Sequence, residues 1–499
     1  MLIWGYKSKI AGLTFLLLLL CLIPVKYYFF NRADNSKDSA YTYNLDDNDL
    51  ERIIKRGKLI ALTENSSTSY FVYKGETMGY EFEMLNRFAQ SIGVELEIVL
   101  VNDMDIILEK LNKGEADIAA ANLTVTADRL KLVGFTEPLL MTKQVLIQHK
   151  PKGWQNMTAE MLNKKLVRDP NDLVGKTVIV RKNSSFYSRL KSLSEEVGGE
   201  IIIEEACGEQ DTEELINYVA NGFIEYTVAD ENVAMINQTY YNDIDISTPI
   251  SFEQKIAWAL RKDSPELLKA LNKWMTDKKF KSDKITLYNK YFINKKAAEE
   301  RVNSEFCSMN GGKISVYDHI FKTCSRQLDW DWRLLASMCY QESHFDTAAH
   351  SWAGANGLMQ LVPATAVRFG GDSVIASPVK NIQAGANFLF HLNNYWKNYI
   401  DNKEERIKFV LASYNVGLGH VIDARNLAIK YDKKPNEWTN SVDFYLLNKS
   451  KQKYYMDNVV RFGYCRGEEP YNYVKNILNR YEHYKNVIPY KDDVFASAK

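Results

Sequence analysis

Two hydrophobic rhythms divide this chain of 499 residues, and they cannot belong to one kind of fold. From about residue 50 to 297, short apolar runs alternate with helical patterns. Arg56-Gly57-Lys58 opens the run Leu59–Leu62, Gly79 precedes an amphipathic pattern ending near Gly93, and Val94–Val101 reads as a second strand. A helix carrying Ile107, Leu108 and Leu111 then leads to Ile118-Ala119. Strands alternating with helices predict α/β lobes. Beyond residue 310 the apolar spacing is helical instead, as in Leu334, Leu335, Met338 and Cys339, and predicts a mainly α domain. At this length about three domain-sized units are expected, two lobes and one helical domain.

The balance of 63 basic and 63 acidic residues gives a formal charge of +0, which offers no footprint for a nucleic-acid partner. At the N-terminus, Lys7 and Lys9 precede an apolar run from Ile10 to Val25 that is broken by Pro24. It reads as a signal peptide or signal anchor over residues 1–30 and predicts export with membrane association. Leu20 before Cys21 is not the small residue that lipoprotein processing requires. A polar linker is expected at 31–49. The charged stretch Asn294–Ser304 reads as the interdomain linker, placed at 298–309, with a helical domain over 310–485 and a tail over 486–499.

Glu342, in Gln341-Glu342-Ser343-His344-Phe345, falls at the end of the apolar helix pattern. An acid emerging beside apolar packing has its charged form disfavoured, which suits a general acid working near neutral pH. Three further segments follow in order: Gly357-Leu358-Met359-Gln360, Ser413-Tyr414-Asn415-Val416-Gly417 and Tyr471-Asn472-Tyr473-Val474. Asp346 and Asp372 lie outside these segments and read as solvated surface acids. Among Cys207, Cys307, Cys324, Cys339 and Cys465 no metal spacing occurs, and no cofactor is implied. A pairing of Cys307 with Cys324 or Cys465 is chemically permitted in an exported protein.

The four ordered segments resemble the goose-lysozyme-like catalytic domain of lytic transglycosylases, enzymes that cut peptidoglycan glycan strands. The resemblance implies that Glu342 is the single catalytic acid. It protonates the leaving oxygen, and its carboxylate then takes the proton of the sugar's own 6-hydroxyl, closing a 1,6-anhydro ring on N-acetylmuramic acid. It also implies that Met359 and Gln360 line the glycan groove, that Ser343 contacts the sugar or orients Glu342, that the Tyr414 hydroxyl bonds Glu342 beside Asn415, and that Tyr473 shapes the groove.

Residues 50–297, with Gly79-Tyr80-Glu81-Phe82-Glu83-Met84-Leu85 and Thr124-Val125-Thr126-Ala127-Asp128-Arg129, resemble the periplasmic solute-binding domains of polar amino-acid transporters. A two-lobed clamp is implied, with chain crossings near 140–148 and 236–252. In it Arg129 grips a ligand carboxylate, Asp230 holds an amine, and Ser184 and Ser185 offer hydroxyls and helix-start amides. At Ser69-Tyr70-Phe71 the chain departs from the family pattern, which has Pro before the aromatic; the departure argues against a free amino acid, so a muropeptide stands beside a small amino acid as the expected ligand class.

Taken together the two halves resemble the membrane-bound lytic murein transglycosylase F family. A periplasmic, membrane-associated enzyme with a regulatory clamp, in a cell of Gram-negative type, is the expectation. The alternatives are a receptor whose lysozyme-like domain only docks to the wall, and a hydrolytic muramidase.

Overall fold

In the computed structural model, residues 48–488 are described except 208–209, 311, 372–373 and 375–376. The N-terminal apolar run, the linker before residue 48, Asp372 and the tail beyond 488 lie outside the described residues. Among those described, no helix is long and apolar enough to cross a membrane.

The first lobe is built on strands β1 (Lys58–Thr63), β4 (Glu95–Leu100), β5 (Ile118–Ala119), β6 (Gly134–Phe135) and β14 (Ala259–Leu260), in the order β4-β1-β5-β14-β6. β1 runs parallel to both β4 and β5. Helix α1 (Tyr80–Ser91) buries Tyr80, Phe82, Met84, Leu85, Phe88 and Ala89 at helical spacing. Helix α2 (Met104–Asn112) seats Ile107 and Leu111 in the same core as Leu62 and Ala119. A hairpin, β2 (Phe71–Tyr73) with β3 (Glu76–Met78), projects from this lobe.

The second lobe holds β8 (Gln144–His149) between β11 (Tyr226–Asp230) and β12 (Ile244–Pro249), with β9 (Thr177–Val180) parallel to β10 (Ile202–Glu205). The chain passes between lobes on β7 (Leu140–Thr142) and returns on β13 (Gln254–Ile256), which pair antiparallel. The first crossing lies where expected. The second comes later than 236–252, because Glu231–Tyr240 is a helix and Ile244–Pro249 stays paired with β8 in the second lobe.

The stretch expected as a linker is itself structured: Lys295–Val302 is helix α3, with the Asn294 side chain accepting from the Ala297 amide. The helical domain follows. Its central helix α4 (Trp332–Ser343) starts where the Asp331 carboxylate caps the Arg333 amide, and it buries every residue from Trp332 to Cys339. The C-terminal α8 (Glu468–Val487) packs on it, and α6 (Lys403–Val416) packs on α8 and lies between α5 (Pro378–Lys397) and α7 (Leu418–Lys430). Ser337 Oγ donates to the Ile477 carbonyl at 2.7 Å, fixing α8 on α4. The five described cysteines are free, so no pairing of Cys307 with Cys324 or Cys465 is formed.

Candidate functional site

Helix α4 ends because His344 adopts φ 53°, a left-handed turn that swings the chain away, and its ring packs on Tyr340 at 4.6 Å. Glu342 is therefore delivered in the last turn of a buried helix, where the helix dipole also disfavours a negative charge. Burial, opposed by a hydrogen bond from Tyr473 and reinforced by the charge of Glu469, pushes the Glu342 carboxyl up to about 7. Such a group is shared between its protonated and ionised forms at neutral pH. Asp346 is exposed and only caps the Ala348 amide.

The Gly357–Gln360 turn is stapled against this helix end. Ser343 Oγ donates to the Leu358 carbonyl at 2.8 Å, and Met359 N donates to Asn381 Oδ1, also at 2.8 Å. Gly357 has φ +75°, and a Cβ there would sit 2.8 Å from Asn381 Nδ2, so both the turn and the close approach require glycine. The Gln360 amide donates to the Ala349 and Gly357 carbonyls, each at 2.9 Å, closing the turn on itself.

Several expected roles are corrected. Met359 does not line a groove: it is fully buried, and its side chain fills the space left by Gly385. Ser343 is buried and faces Leu358, so it holds the turn rather than a sugar. The Tyr414 hydroxyl does not bond Glu342 but donates to the Met359 carbonyl at 2.8 Å, supplying the donor that a turn carbonyl inside the fold needs. Tyr473 makes the bond instead, its hydroxyl donating to Glu342 Oε1. Burial, then the Glu342 charge, raises the pKa of both tyrosines, keeping them neutral donors. Asn415 is half-buried in the last turn of α6 beside Tyr414.

In the clamp, Arg129, Ser184, Ser185 and Asp230 line one cavity of about 50 Å³. Asp230 Oδ2 accepts from Asn122 Nδ2 at 2.8 Å, and Arg129 Nη1 donates to the Thr124 carbonyl at 3.0 Å. Burial, tempered by the Arg129 charge, pushes Asp230 up to about 7. Ser184 Oγ turns back to the Arg181 carbonyl at 2.6 Å, which removes its hydroxyl from the role expected of it, while Ser185 Oγ is 3.3 Å from Thr124 Oγ1.

Sequence reasoning missed what crosses the cleft. Arg181 of the second lobe pairs with Glu64 of the first at 2.7 Å, both largely buried. Glu213 accepts from Ser67 N and Oγ at 3.1 and 2.6 Å. Glu64 and Arg181 each directly follow a parallel strand, β1 and β9, and strand carboxyl ends are where α/β crevices form. That position was the available signal. The cavity left between these groups admits about one or two waters. That space is smaller than a ligand of amino-acid size requires.

Tyr70, at the point of departure from the solute-binding pattern, is fully buried away from this cavity. Its hydroxyl lies 2.8 Å from His483 Nδ1 on α8. Nearby, Tyr484 donates to the Gly75 carbonyl at 2.6 Å, and a Cβ on Gly75 would meet Tyr340 and Phe345 at 2.6 Å. The first lobe thus rests on the helical domain through its hairpin, three residues beyond Glu342.

Comparison with known proteins accords with both halves. Bacterial extracellular solute-binding proteins of family 3 match residues 59–294, and the transglycosylase SLT domain matches 320–438, stopping short of Tyr473. A membrane-bound lytic murein transglycosylase F of Desulfosudis oleivorans is 33% identical over 443 residues, covering 89% of this chain and 93% of its own. The protein of the same name from Stutzerimonas stutzeri is 31% identical over 436 residues, covering 87% and 86%. With an α/β clamp ahead of a helical domain, and full-length relatives of one name, the chain belongs to the membrane-bound lytic murein transglycosylase F family.

Proposed function

We propose that this chain is a peptidoglycan lytic transglycosylase in which Glu342 is both acid and base. The protonated carboxyl gives its proton to the glycosidic oxygen as the bond from C1 of N-acetylmuramic acid breaks. The carboxylate so formed takes the proton of the C6 hydroxyl, whose oxygen bonds to C1. Water is not consumed, and the carboxyl is regenerated. The observation that carries this reading is one half-buried acid at the end of a buried helix, raised to about 7 and held by the Tyr473 hydroxyl. Glu469, whose charge is felt there, is exposed and stands as no second buried catalytic carboxyl. An internal hydroxyl as nucleophile brings the high effective concentration of an intramolecular reaction.

The test is the mass of the products released from purified peptidoglycan. Anhydro ends lack the water that hydrolysis would add, and Glu342→Gln should abolish their release. Hydrated ends would identify a muramidase and sink the proposal.

The clamp senses a small ligand carrying a carboxylate and an amine, an amino acid or a muropeptide, through Arg129 and Asp230. Support comes from their convergence on one cavity at the lobe interface. The relatives' names describe membrane-bound enzymes, and with the Lys7, Lys9 and Ile10–Val25 pattern this supports a periplasmic, membrane-associated location. Protease accessibility in spheroplasts tests it.

A further inference from the structure

Two aromatic rings stand out in solvent on the loop that leads into α8. Phe462 and Tyr464 are each 57% exposed, and Met456 at the start of the same loop is 66% exposed. Single exposed apolar residues are ordinary, but these three lie within nine positions on one segment.

The loop is mounted with unusual care. The Asp423 carboxylate accepts from the backbone amides of Arg461 and Phe462, both at 2.8 Å. Asp423 in turn is paired with Lys449 at 2.5 Å, both side chains fully buried, and Lys449 Nζ also lies 2.9 Å from His420 Nδ1. Taking an ion pair out of water is costly, and this one serves to fix the backbone that displays Phe462. The Phe462 ring lies on Gly419, where a Cβ would come within 2.6 Å of it. Tyr464 leans edge-on against Tyr455 with 5.8 Å between centroids.

Both anchor points lead to Glu342. Gly419 lies two residues beyond Gly417, which ends the helix bearing Tyr414 and Asn415. At the other end of the loop, Gly467 is clamped so closely on Leu446 that a Cβ would strike its carbonyl, and α8 then brings in Glu469 and Tyr473. The aromatic pair is therefore carried on a segment fixed at one end just past the helix that bears Tyr414 and Asn415 and at the other to the helix that bears Tyr473. An exposed pair of rings on a mount shared with the helices of Tyr414 and Tyr473 has the chemistry to receive a sugar, whose C–H face packs on the ring while its hydroxyls stay in water.

We propose that Phe462 and Tyr464 form a stacking platform for a saccharide unit of the same glycan strand, outside the bond that is cut. The proposal rests on Glu342 marking the cleavage centre. The platform sets affinity for long strands and takes no part in proton transfer.

The experiment uses the full chain carrying Glu342→Gln and measures binding to soluble, uncrosslinked peptidoglycan strands and to phospholipid vesicles. Adding Phe462→Ala and Tyr464→Ala should weaken strand binding about tenfold, as loss of aromatic contact predicts, with unchanged vesicle binding. Tyr464→Phe should retain it. In the active enzyme the pair should raise KM with kcat within about twofold, the pattern of lost uniform binding. Should the double variant unfold, Tyr464→Ala alone carries the test, because its ring is mostly in solvent. Unchanged strand binding, a loss of vesicle binding instead, or a fall in kcat at constant KM overturns the platform. Residual cleavage by the Glu342→Gln protein would count against the acid assignment while leaving the binding comparison readable.

Discussion

The Tyr473 hydroxyl donates a hydrogen bond to Glu342 Oε1, joining the last helix of the chain to the end of the central one. That bond favours the carboxylate, whereas burial favours the neutral acid, and burial wins to leave the group at about 7. Removing the donor should push the pKa higher still. In Tyr473→Phe the high-pH limb of the kcat/KM profile, set near pH 7 by loss of the acid, should move up by about one unit, with kcat lower by about tenfold. Glycan cleavage rates across pH 5 to 9 check it; an unmoved limb means Tyr473 does not tune the acid.

Glu342→Gln keeps the shape of the side chain but cannot transfer a proton. Its activity should fall by at least ~10²-fold, the lower range for a general acid. Thermal melting should show an intact fold.

Gly357 sits at φ +75° against Asn381. Gly357→Ala should cost about 1–3 kcal/mol through strain and crowding, lowering Tm and disturbing the turn that Tyr414 and Ser343 hold. Ser343→Ala should cost about 0.5–1.5 kcal/mol, since it removes one hydrogen bond while the Cys339 thiol still donates to the Leu358 carbonyl. Chemical denaturation measures both.

The Arg181–Glu64 pair links the lobes across a nearly filled cleft. Arg181→Met strands a buried carboxylate and should destabilise the clamp by about 3–5 kcal/mol, whereas the double variant with Glu64→Leu should recover much of that loss. Urea unfolding of the four proteins of the cycle gives the coupling, and strict additivity would remove the pair as a lobe-to-lobe link.

His483 is held neutral beneath Tyr70, its pKa lowered from 6.5 to about 4 by burial and by the Arg480 charge. Between those values the unfolded chain binds the extra proton, so the stabilisation is whole above pH 6.5 and is lost as pH falls towards 4. At 1.36 kcal/mol per unit the loss is on the order of 3 kcal/mol. Unfolding free energies measured at pH 7 and pH 4.5 should differ less in His483→Leu than in the parent.

What the sequence by itself determined was the order of the two folds and the position of the acid. Both follow from local pattern: alternation of strand and helix in one half, helical spacing in the other, and a polar residue at the close of an apolar run. β1, β4 and α1 lie within a residue or two of where the pattern put them, because each must bury one face. Tertiary structure decided which tyrosine meets Glu342. Tyr414 and Tyr473 each stand in a helix that packs near the acid, and only the three-dimensional path of the Met359 carbonyl draws one of them away. The same holds for Arg181 finding Glu64 across 117 positions of chain, and for Tyr70 turning to His483 across 413. Such partners are set by which surfaces come together after the helices and sheets have formed, and spacing along the sequence does not encode that distance.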